Sequence, residues 1–319
     1  MGLKAVILAA GKGTRMKSDI LKVVHQVAGK PIVNYVVDTV SQLGAEDIYI
    51  VVGHQAELVK KNIPQKNTHF VHQEEQLGTG HAVLQVKPYI DLGKEDTLII
   101  LAGDCPLIEE ETLKNLIAIH EESNFRGTIL TAIMDDPGSY GRILRGQMGT
   151  VTGIKEAKDC TKEEKEIAEI NTGVYVFNAQ ALFENLALVD TNNTQKEYYL
   201  TDVIHLIKES GGAIGAYCCE NSDHVIGINT RADLAKINKI IYQKNNNHFM
   251  QEGITIIDPQ TTFIDSTVQI GWDTIISPFT IIGGQSRIGS HCSIGSHSCI
   301  YNGIIGDNSS IAPFTHIQG

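Results

Sequence analysis

Leu8-Ala9-Ala10-Gly11-Lys12-Gly13-Thr14-Arg15-Met16 follows the first apolar run of the chain, and its small residues indicate a phosphate-binding turn after a buried strand. Residues 5–8 have the unbroken apolar pattern of such a strand. Because the loop carries little side-chain bulk, a ligand can lie on the backbone, whose successive N–H groups form a concave nest for phosphate. Arg15 adds a planar fork of donors for a polyphosphate. The stretch therefore predicts a loop that holds a nucleoside triphosphate.

Two familiar phosphate-binding motifs do not fit this loop. It lacks the Lys-Ser/Thr pair of G-x-x-x-x-G-K-[ST], and Met16 stands where the third glycine of G-x-G-x-x-G belongs. An ordinary strand-to-helix turn would also explain Gly11 and Gly13 taken alone. The adjoining Thr14-Arg15 and the later Lys22 favour phosphate binding.

Composition and charge exclude several classes of protein. With 319 residues, 42% of them apolar and 20% charged, the chain is predicted to be globular and to form two domains. A net charge of −11 argues against nucleic acid or an anionic membrane as partner. No apolar segment is long enough to span a bilayer and no cleavable signal is evident, so we expect a cytoplasmic protein. The cysteines lack disulfide or metal-ligand spacing and are expected to be reduced thiols: Cys105, Cys160, Cys218, Cys219, Cys292 and Cys299.

From Lys4 to about Gly227, strand-like apolar runs alternate with amphipathic helical stretches. The helical stretches include 32–43, whose valines recur at helical spacing, and 110–120. This alternation predicts an α/β domain with a doubly wound, mostly parallel sheet. Ligands bind such sheets beyond the carboxyl ends of the strands, where the opening loop lies. The predicted strands are 5–8, 48–52, 68–71, 97–101, 128–132, 173–177 and 214–217.

Isoleucine recurs every six residues near the end of the sequence. The step holds from Ile264 to Ile300, and after a one-residue slip at Asn302-Gly303 it continues through Ile305 to Ile317. Six residues is the period of a hexapeptide β-helix, in which the isoleucines stack inside a triangular coil. A chance run of isoleucines in a β-sandwich would not keep so regular a step.

The composition changes at Lys244-Asn245-Asn246-Asn247-His248, after a predicted helix over 231–242. We therefore predict an α/β domain over 1–229, a helical linker over 230–251 and a short β-helix over 252–319. Hexapeptide coils commonly form oligomers, so we expect a homo-oligomer, a trimer, assembled through the β-helix.

A second candidate binding segment, Gln73-Glu74-Glu75-Gln76-Leu77-Gly78-Thr79-Gly80-His81-Ala82, follows a predicted strand. The carboxamides of Gln73 and Gln76 each carry donors and an acceptor, as needed to recognise the edge of a nucleobase. A polar turn with a helix start at Thr79 explains the segment equally well. His81 is predicted to be structural, because nothing nearby in the sequence completes a catalytic triad or a metal site.

An acid stands at the carboxyl end of the apolar strand 97–101, in Gly103-Asp104-Cys105-Pro106. Asp104 supplies the oxygen ligands that Mg²⁺ prefers when it is bound jointly with phosphates. An Asp that only stabilises its own turn is the alternative, and the preceding glycine, which leaves room for a ligand, disfavours it. Further along, Glu156 and Asn171 could hydrogen-bond sugar hydroxyls or an acetamido group.

In combination and in this order, these segments resemble the bacterial N-acetylglucosamine-1-phosphate uridyltransferases, which are bifunctional with glucosamine-1-phosphate N-acetyltransferase. In that family a nucleotidyltransferase domain precedes a left-handed β-helix. The resemblance implies UTP and N-acetylglucosamine-1-phosphate as substrates, Mg²⁺ as cofactor, and UDP-N-acetylglucosamine for cell-wall peptidoglycan as product. It covers the whole chain, and its specific pieces are 8–16, 73–82, 103–107, 140–143, 169–173 and 198–202.

The resemblance also assigns roles by motif. Arg15, Lys22 and Asp104 would be the catalytic residues, with Asp104 and Asn229 holding Mg²⁺ and the two cations contacting phosphates. The nucleotide would be bound by Leu8, Ala9, Ala10, Gly11, Lys22, Gln73, Gln76, Gly78 and Thr79. The N-acetylglucosamine side would be lined by Gly141, Glu156, Asn171, Tyr199 and Thr201.

Two positions depart from the family pattern, and so does the length. Leu21 stands where the family usually has proline, and Ala102 where a larger or hydroxylated residue is common. Neither change removes a metal or phosphate ligand. The acetyl-transfer residues of the family lie in coils beyond Gly319, so the resemblance implies that this chain lacks acetyltransferase activity.

The implied reaction needs no general base, because the attacking phosphate oxygen is already ionised; alignment and charge neutralisation suffice. Three alternatives stay open. One is another sugar-1-phosphate nucleotidyltransferase, of the UDP-glucose or dTDP-glucose type. Another is a non-catalytic oligomeric scaffold that binds a sugar nucleotide. The last is an acyltransferase that would use His291, His297 or His316, although each fits better as a surface residue at a coil corner.

Overall fold

The computed structural model describes residues 2–63, 67–91, 93 and 96–319, apart from the side chain of Met148. The chain divides into two compact units, Met1–Val24 with Ile32–Asn229, and His25–Pro31 with Thr230–Gly319. The short segment His25–Pro31 thus belongs with the later part of the chain, which the sequence pattern did not indicate. Among the described residues, no helix is long and apolar enough to cross a membrane.

The helices are, in chain order, α1 (Ile32–Gln42), α2 (Ala56–Asn62), α3 (Thr79–Leu84), α4 (Glu110–Glu122), α5 (Lys162–Lys165), α6 (Ala179–Leu186), α7 (Asp202–Glu209) and α8 (Arg231–Gln251). The longer strands are β1 (Leu3–Leu8), with the short β2 (Gln26–Val27) and β3 (Lys30–Pro31) after it, then β4 (Asp47–Val52), β5 (Thr68–His72), β6 (Thr97–Ala102), β7 (Gly127–Ile133), β8 (Arg142–Arg145), β9 (Val151–Lys155), β10 (Glu169–Asn178) and β11 (Ile214–Cys219). Short strands follow: β12 (Thr255–Ile256), β13 (Phe263–Ile264), β14 (Gln269–Ile270), β15 (Ile275–Ile276), β16 (Ile281–Gly283), β17 (Arg287–Ile288), β18 (Ser293–Ile294), β19 (Cys299–Tyr301), β20 (Ile304–Ile305), β21 (Ser310–Ile311) and β22 (His316–Gln318).

The first unit contains a nine-stranded sheet in the order β11-β7-β10-β6-β1-β4-β5, with β8 and β9 attached beside β10. Strand β1 pairs in parallel with both β4 and β6, β4 with β5, and β7 with β11. The mostly parallel sheet predicted from the sequence is therefore confirmed. The chain runs outward from β1 to β4 and β5 and then returns to β6 on the other side of β1. This reversal opens a crevice at the carboxyl ends of β1 and β6.

The centre of the sheet is buried on both faces, which explains why β6 reads as an unbroken apolar run. Ile99 and Leu101 pack into the hydrophobic cluster on the side of α1 and α4, while Leu98 and Ile100 pack into the cluster on the side of α6 and α7. Burial of a side chain of this size contributes about 1.5–3 kcal/mol. The crevice is thus framed by rigid strands.

Strand β10 differs from its predicted form. It runs antiparallel between β6 and β7 and begins at Glu169, before the predicted start at residue 173. Its register to β7 shifts between Asn171 and Tyr175, where Gly173 has a φ of +79°. The irregularity hides the strand pattern in the sequence, because the side-chain alternation is interrupted there.

Helix α8 begins with a capping box in which the side chains of Thr230 and Asp233 each accept a hydrogen bond from the other's backbone N–H. It continues past the predicted end at residue 242 and includes the polar stretch 244–248. Asn246 is fully buried, and its Nδ2 donates to the carbonyls of Pro259 (3.0 Å) and Thr262 (2.8 Å). The polar residues therefore hold the chain that follows against the helix.

The predicted hexapeptide β-helix is confirmed. Its short strands form three parallel ladders, β12-β15-β18-β21, β13-β16-β19-β22 and β14-β17-β20. Ile264 pairs with Ile282, and Ile282 with Ile300, and all three side chains are fully buried. At the slip in the repeat, Asn302 adopts a φ of +55° and its Oδ1 accepts from Gln285 N at 2.9 Å. The turn absorbs one missing residue without breaking the ladder.

Candidate active site

Two adjoining cavities lie beyond the carboxyl ends of β1 and β6. Leu8, Thr79 and Ala102 line both of them. Cavity 1, of about 370 Å³, has on its wall the predicted residues Leu8, Ala10, Gly11, Gln73, Gln76, Gly78 and Thr79. Cavity 2, of about 230 Å³, has on its wall the predicted residues Leu8, Arg15, Thr79, Asp104, Gly141, Glu156, Asn171, Thr201 and Asn229.

The two carboxamides of cavity 1 are held in defined orientations. Gln73 Nε2 donates to the carbonyl of Gly78 at 3.1 Å and lies 3.0 Å from His81 Nδ1. Gln76 Nε2 donates to the carbonyl of Ala10 at 2.6 Å. Each glutamine thus contacts the protein through its nitrogen, and the opening loop is tied to the second binding segment.

Gly53, at the end of β4, makes the Gln76 contact possible. A Cβ at this position would lie 2.7 Å from Gln76 Nε2 and 3.0 Å from the carbonyl oxygen of Ala10. Any side chain would therefore displace the carboxamide from the loop. Gly53 could not be found from the sequence, since an isolated glycine after a strand carries no signal of a distant contact.

For the segment that holds Gln73 and Gln76, the sequence left two interpretations open: a ligand-binding segment, or a polar turn followed by a helix start. The structure is compatible with both. Helix α3 begins at Thr79 as predicted, and the same residues line cavity 1. The backbone N–H of Gly80 donates to the carbonyl of Tyr198 at 2.8 Å, and Leu200 N donates to Thr79 Oγ1 at 3.1 Å. These bonds fix the wall shared by the two cavities.

Four predicted residues that are distant in sequence converge in one cluster at cavity 2. Lys22 Nζ forms an ion pair with Asp104 Oδ2 and donates to Asn229 Oδ1 at 3.1 Å. Arg15 donates through Nη2 to the same Asn229 oxygen at 2.8 Å and through Nη1 to Ser139 Oγ at 3.1 Å. The Lys22 and Asp104 side chains are each 14% exposed. Two cationic side chains and two side-chain oxygen atoms thus meet beside the cavity.

Backbone contacts hold Asn229 close to Asp104. The N–H of Ile228 donates to the carbonyl of Asp104 at 2.9 Å, and the N–H of Gly227 donates to the hydroxyl of Tyr140 at 3.0 Å. Because Asn229 follows directly, its side-chain oxygen is brought to the same point as the Asp104 carboxylate. Tyr140 lies in the segment 140–143 that carries the family resemblance, but no role was predicted for it from the sequence.

The donor set fits a hard divalent cation. A carboxylate and a carboxamide oxygen share Lys22 Nζ as a hydrogen-bond partner, so both point toward one position. Among the described residues, no group of three or more His, Cys, Asp or Glu side chains is placed to hold a metal. A cation at Asp104 and Asn229 would therefore take its remaining ligands from phosphates and water, as Mg²⁺ commonly does.

The far wall of cavity 2 carries polar groups at positions that were predicted to bind the sugar. Glu156 accepts from Thr201 Oγ1 at 3.4 Å, and Asn171 Nδ2 donates to the Tyr175 hydroxyl at 2.7 Å. Burial raises the pKa of Glu156, with further contributions from nearby acids such as Asp202. The wall therefore presents partly desolvated groups that gain by hydrogen bonding a ligand.

Three predicted residues line neither cavity: Lys22, whose ammonium pairs with Asp104 beside cavity 2, Ala9 and Tyr199. Ala9 is 1% exposed and its N–H donates to the carbonyl of Val51 at 2.9 Å, so it anchors the loop to β4. Tyr199 is 6% exposed. Of the two departures from the family pattern, Leu21 is buried in the core, whereas Ala102 lies on the wall shared by the cavities.

A family model described as a MobA-like NTP transferase domain matches residues 5–167. A relative from Syntrophomonas wolfei, named bifunctional protein GlmU, is 46% identical over 318 residues, covering all of this chain and 70% of the relative. Proteins of the same name from Enterococcus faecalis and Clostridioides difficile are 48% and 45% identical, and the chain spans 61% and 69% of their lengths. The crystal structure of UDP-glucose pyrophosphorylase complexed with UDP-glucose superposes with a TM-score of 0.62 at 19% identity, covering 76% of this chain and all of that one.

The fold and the match to the transferase model define a nucleotidyltransferase followed by a hexapeptide β-helix. Within that class, the chain belongs to the family of bifunctional GlmU proteins. The family predicted from the motifs is thus confirmed, and with it an enzyme that makes UDP-N-acetylglucosamine by nucleotidyl transfer from a nucleoside triphosphate to a sugar-1-phosphate. Enzymes of this type use a divalent metal.

Proposed function

We propose that cavity 1 binds the nucleoside of UTP, that cavity 2 binds N-acetylglucosamine-1-phosphate, and that the uridyl group is transferred between them. The observation that carries this proposal is the cluster of Lys22, Arg15, Asp104 and Asn229, the last three of which line cavity 2 beside the wall that both cavities share. Two anions that repel one another need concentrated positive charge to react, and the cluster places it there.

The reaction is an in-line displacement at phosphorus. An oxygen of the sugar phosphate forms a bond to the α-phosphorus of UTP, and the bond from that phosphorus to the β-phosphate oxygen breaks. Pyrophosphate leaves with the bonding electrons, and no proton has to be moved. Because Lys22 and Arg15 carry positive charge, they neutralise the transferring group and the leaving pyrophosphate. The β1 loop aligns the triphosphate through its backbone.

We assign the metal position to Asp104 and Asn229 and the metal to Mg²⁺, since both ligands are hard oxygens and the shell leaves room for phosphates and water. When bound, the ion would supply charge neutralisation between the two substrates. Gln73 and Gln76 would contact the uracil from cavity 1, while Glu156, Asn171 and Thr201 would bind sugar hydroxyls and the acetamido group.

We further propose a homotrimer in the cytoplasm. Exposed apolar side chains on the β-helix, including Ile304 and Phe314 at 82% and 78% exposure, support assembly through this unit. The cysteines are free, which supports a reducing compartment.

A pyrophosphate-release assay with UTP, Mg²⁺ and a panel of sugar-1-phosphates tests the proposal. We expect N-acetylglucosamine-1-phosphate to be turned over in preference to glucose-1-phosphate, and UTP in preference to dTTP. Preferential release with glucose-1-phosphate would instead identify a UDP-glucose type of enzyme. Absence of release with every pair would contradict catalysis and favour a sugar-nucleotide-binding scaffold.

A further inference from the structure

The ring of His81 lies between two carboxamides. Its Nδ1 is 3.0 Å from Gln73 Nε2, and its Nε2 is 3.0 Å from Gln85 Nε2. A neutral imidazole offers one donor and one acceptor, so it cannot accept from both amide nitrogens. The oxygen and nitrogen of a carboxamide exchange places when the group turns over, and one of the two glutamines must therefore present its oxygen to the ring.

The second contacts of the two glutamines decide which one presents its oxygen. Gln73 Nε2 also donates to the carbonyl of Gly78 at 3.1 Å, and Gln73 is only 3% exposed. If this carboxamide turned over, two acceptor oxygens would face each other in a buried position. Gln85 has only a long second contact, 3.4 Å to the His81 carbonyl, and is partly exposed, so water can compensate for its loss.

It follows that Gln85 presents Oε1 to the Nε2–H of His81, and that His81 Nδ1 accepts from Gln73. A doubly protonated ring would require both carboxamides to turn and would lose the Gly78 contact as well. With both Nε2 hydrogens of Gln73 engaged, its remaining polar atom is Oε1. No donor among the described residues reaches that oxygen, and Gln73 lies on the wall of cavity 1.

We infer that His81 and Gln85 are positioning residues that lock Gln73 as a hydrogen-bond acceptor toward cavity 1 and so select a base with a ring N–H. Uracil carries a hydrogen on N3, whereas cytosine has a lone pair there and would meet Oε1 with repulsion. The inference rests on the proposed binding of UTP in cavity 1. His81, for which the sequence predicted only a structural role, thereby becomes part of base selection.

Substitutions at Gln85 test the chain of hydrogen bonds from Gln85 through His81 to Gln73 without changing a residue that lines cavity 1. Gln85→Glu supplies only acceptors and should keep the Nε2–H tautomer and the preference for UTP over CTP. Gln85→Lys supplies only donors, so it should force His81 to the Nδ1–H tautomer, turn Gln73 over and lower the ratio of the CTP to the UTP dissociation constant at least tenfold. Gln180→Lys, on an exposed face of α6, controls for the added charge and should leave the ratio unchanged.

The measurements are calorimetric dissociation constants for UTP and CTP and the ¹⁵N spectrum of His81, assigned from its disappearance in His81→Asn. His81→Asn keeps an acceptor near the Nδ1 position and should retain more of the preference than His81→Leu. An Nδ1–H tautomer in the parent protein, an unchanged ratio in Gln85→Lys, or no preference for UTP in the parent would each overturn the inference. A parent that prefers UTP but forms no product would contradict the proposed reaction alone.

Discussion

Replacing Lys22 by methionine should change metal binding and turnover in opposite directions. Lys22 Nζ pairs with Asp104 and donates to Asn229 at 3.1 Å, so the ammonium occupies the point at which both oxygen ligands converge. A divalent cation bound by these oxygens would take the same position, so Lys22 would have to leave it first. Lys22→Met keeps most of the side-chain volume and removes this competition.

The magnitude follows from the burial of the ion pair. Both side chains are 14% exposed, which places the pair between exposed and buried examples. Exposed pairs contribute about 0.2–1 kcal/mol, and breaking a buried pair costs about 3–5 kcal/mol. An intermediate cost of about 1.4 kcal/mol corresponds to about tenfold tighter binding of the cation. Turnover should fall about a hundredfold, because a single electrostatic contact to the reacting phosphates is lost.

Electron paramagnetic resonance of free Mn²⁺, titrated in the absence of nucleotide, measures the binding, and pyrophosphate release measures turnover. Asp104→Asn is the matched control, since it removes a ligand and should weaken Mn²⁺ binding and lower turnover together. If Lys22→Met binds Mn²⁺ no more tightly than the parent, the ammonium and the cation do not share a position and the reasoning fails.

Three further substitutions test other parts of the structure. Gly53→Ala should raise the KM for UTP about tenfold with little loss of Tm, because its Cβ would meet the Gln76 carboxamide at 2.7 Å; an unchanged KM would remove this contact from nucleotide binding. Burial raises the pKa of Glu156, so its carboxylate costs folding free energy that is absent below the ordinary pKa of the unfolded chain, grows as pH rises from there to the raised folded pKa, and is fully present above it. Glu156→Gln should therefore raise Tm relative to the parent at pH 8 and not at pH 4, and equal shifts at both would contradict a raised pKa. Ile282→Ala, at a fully buried position, should cost about 3 kcal/mol in urea denaturation, whereas Ile304→Ala, at 82% exposure, should cost less than about 0.5 kcal/mol.

Much of the fold could be predicted because it rests on local periodicity. The burial of a single element can be seen in its own sequence. Examples are the apolar run before the opening loop, the helical valines of α1 and the six-residue step of the β-helix. The antiparallel β10 was less visible, since its irregularity at Gly173 interrupts the alternation. Likewise, the grouping of His25–Pro31 with the second unit depends on contacts far along the chain.

The amino-acid sequence by itself determined the chemistry available to this protein: a small-residue loop for phosphate, amides for a base, an acid at a strand end, and a repeat that stacks into a coil. Only the tertiary structure decided which of these groups meet. Lys22 lies 82 positions from Asp104 and 207 from Asn229, yet the three side chains share hydrogen bonds. The tertiary structure also decided that Ala9 and Tyr199 line neither cavity, that Gly53 lies against Gln76, and that His81 contacts Gln73. The physical reason is that side-chain chemistry and periodicity are local properties, whereas the position of one strand end relative to another follows from packing of the whole sheet.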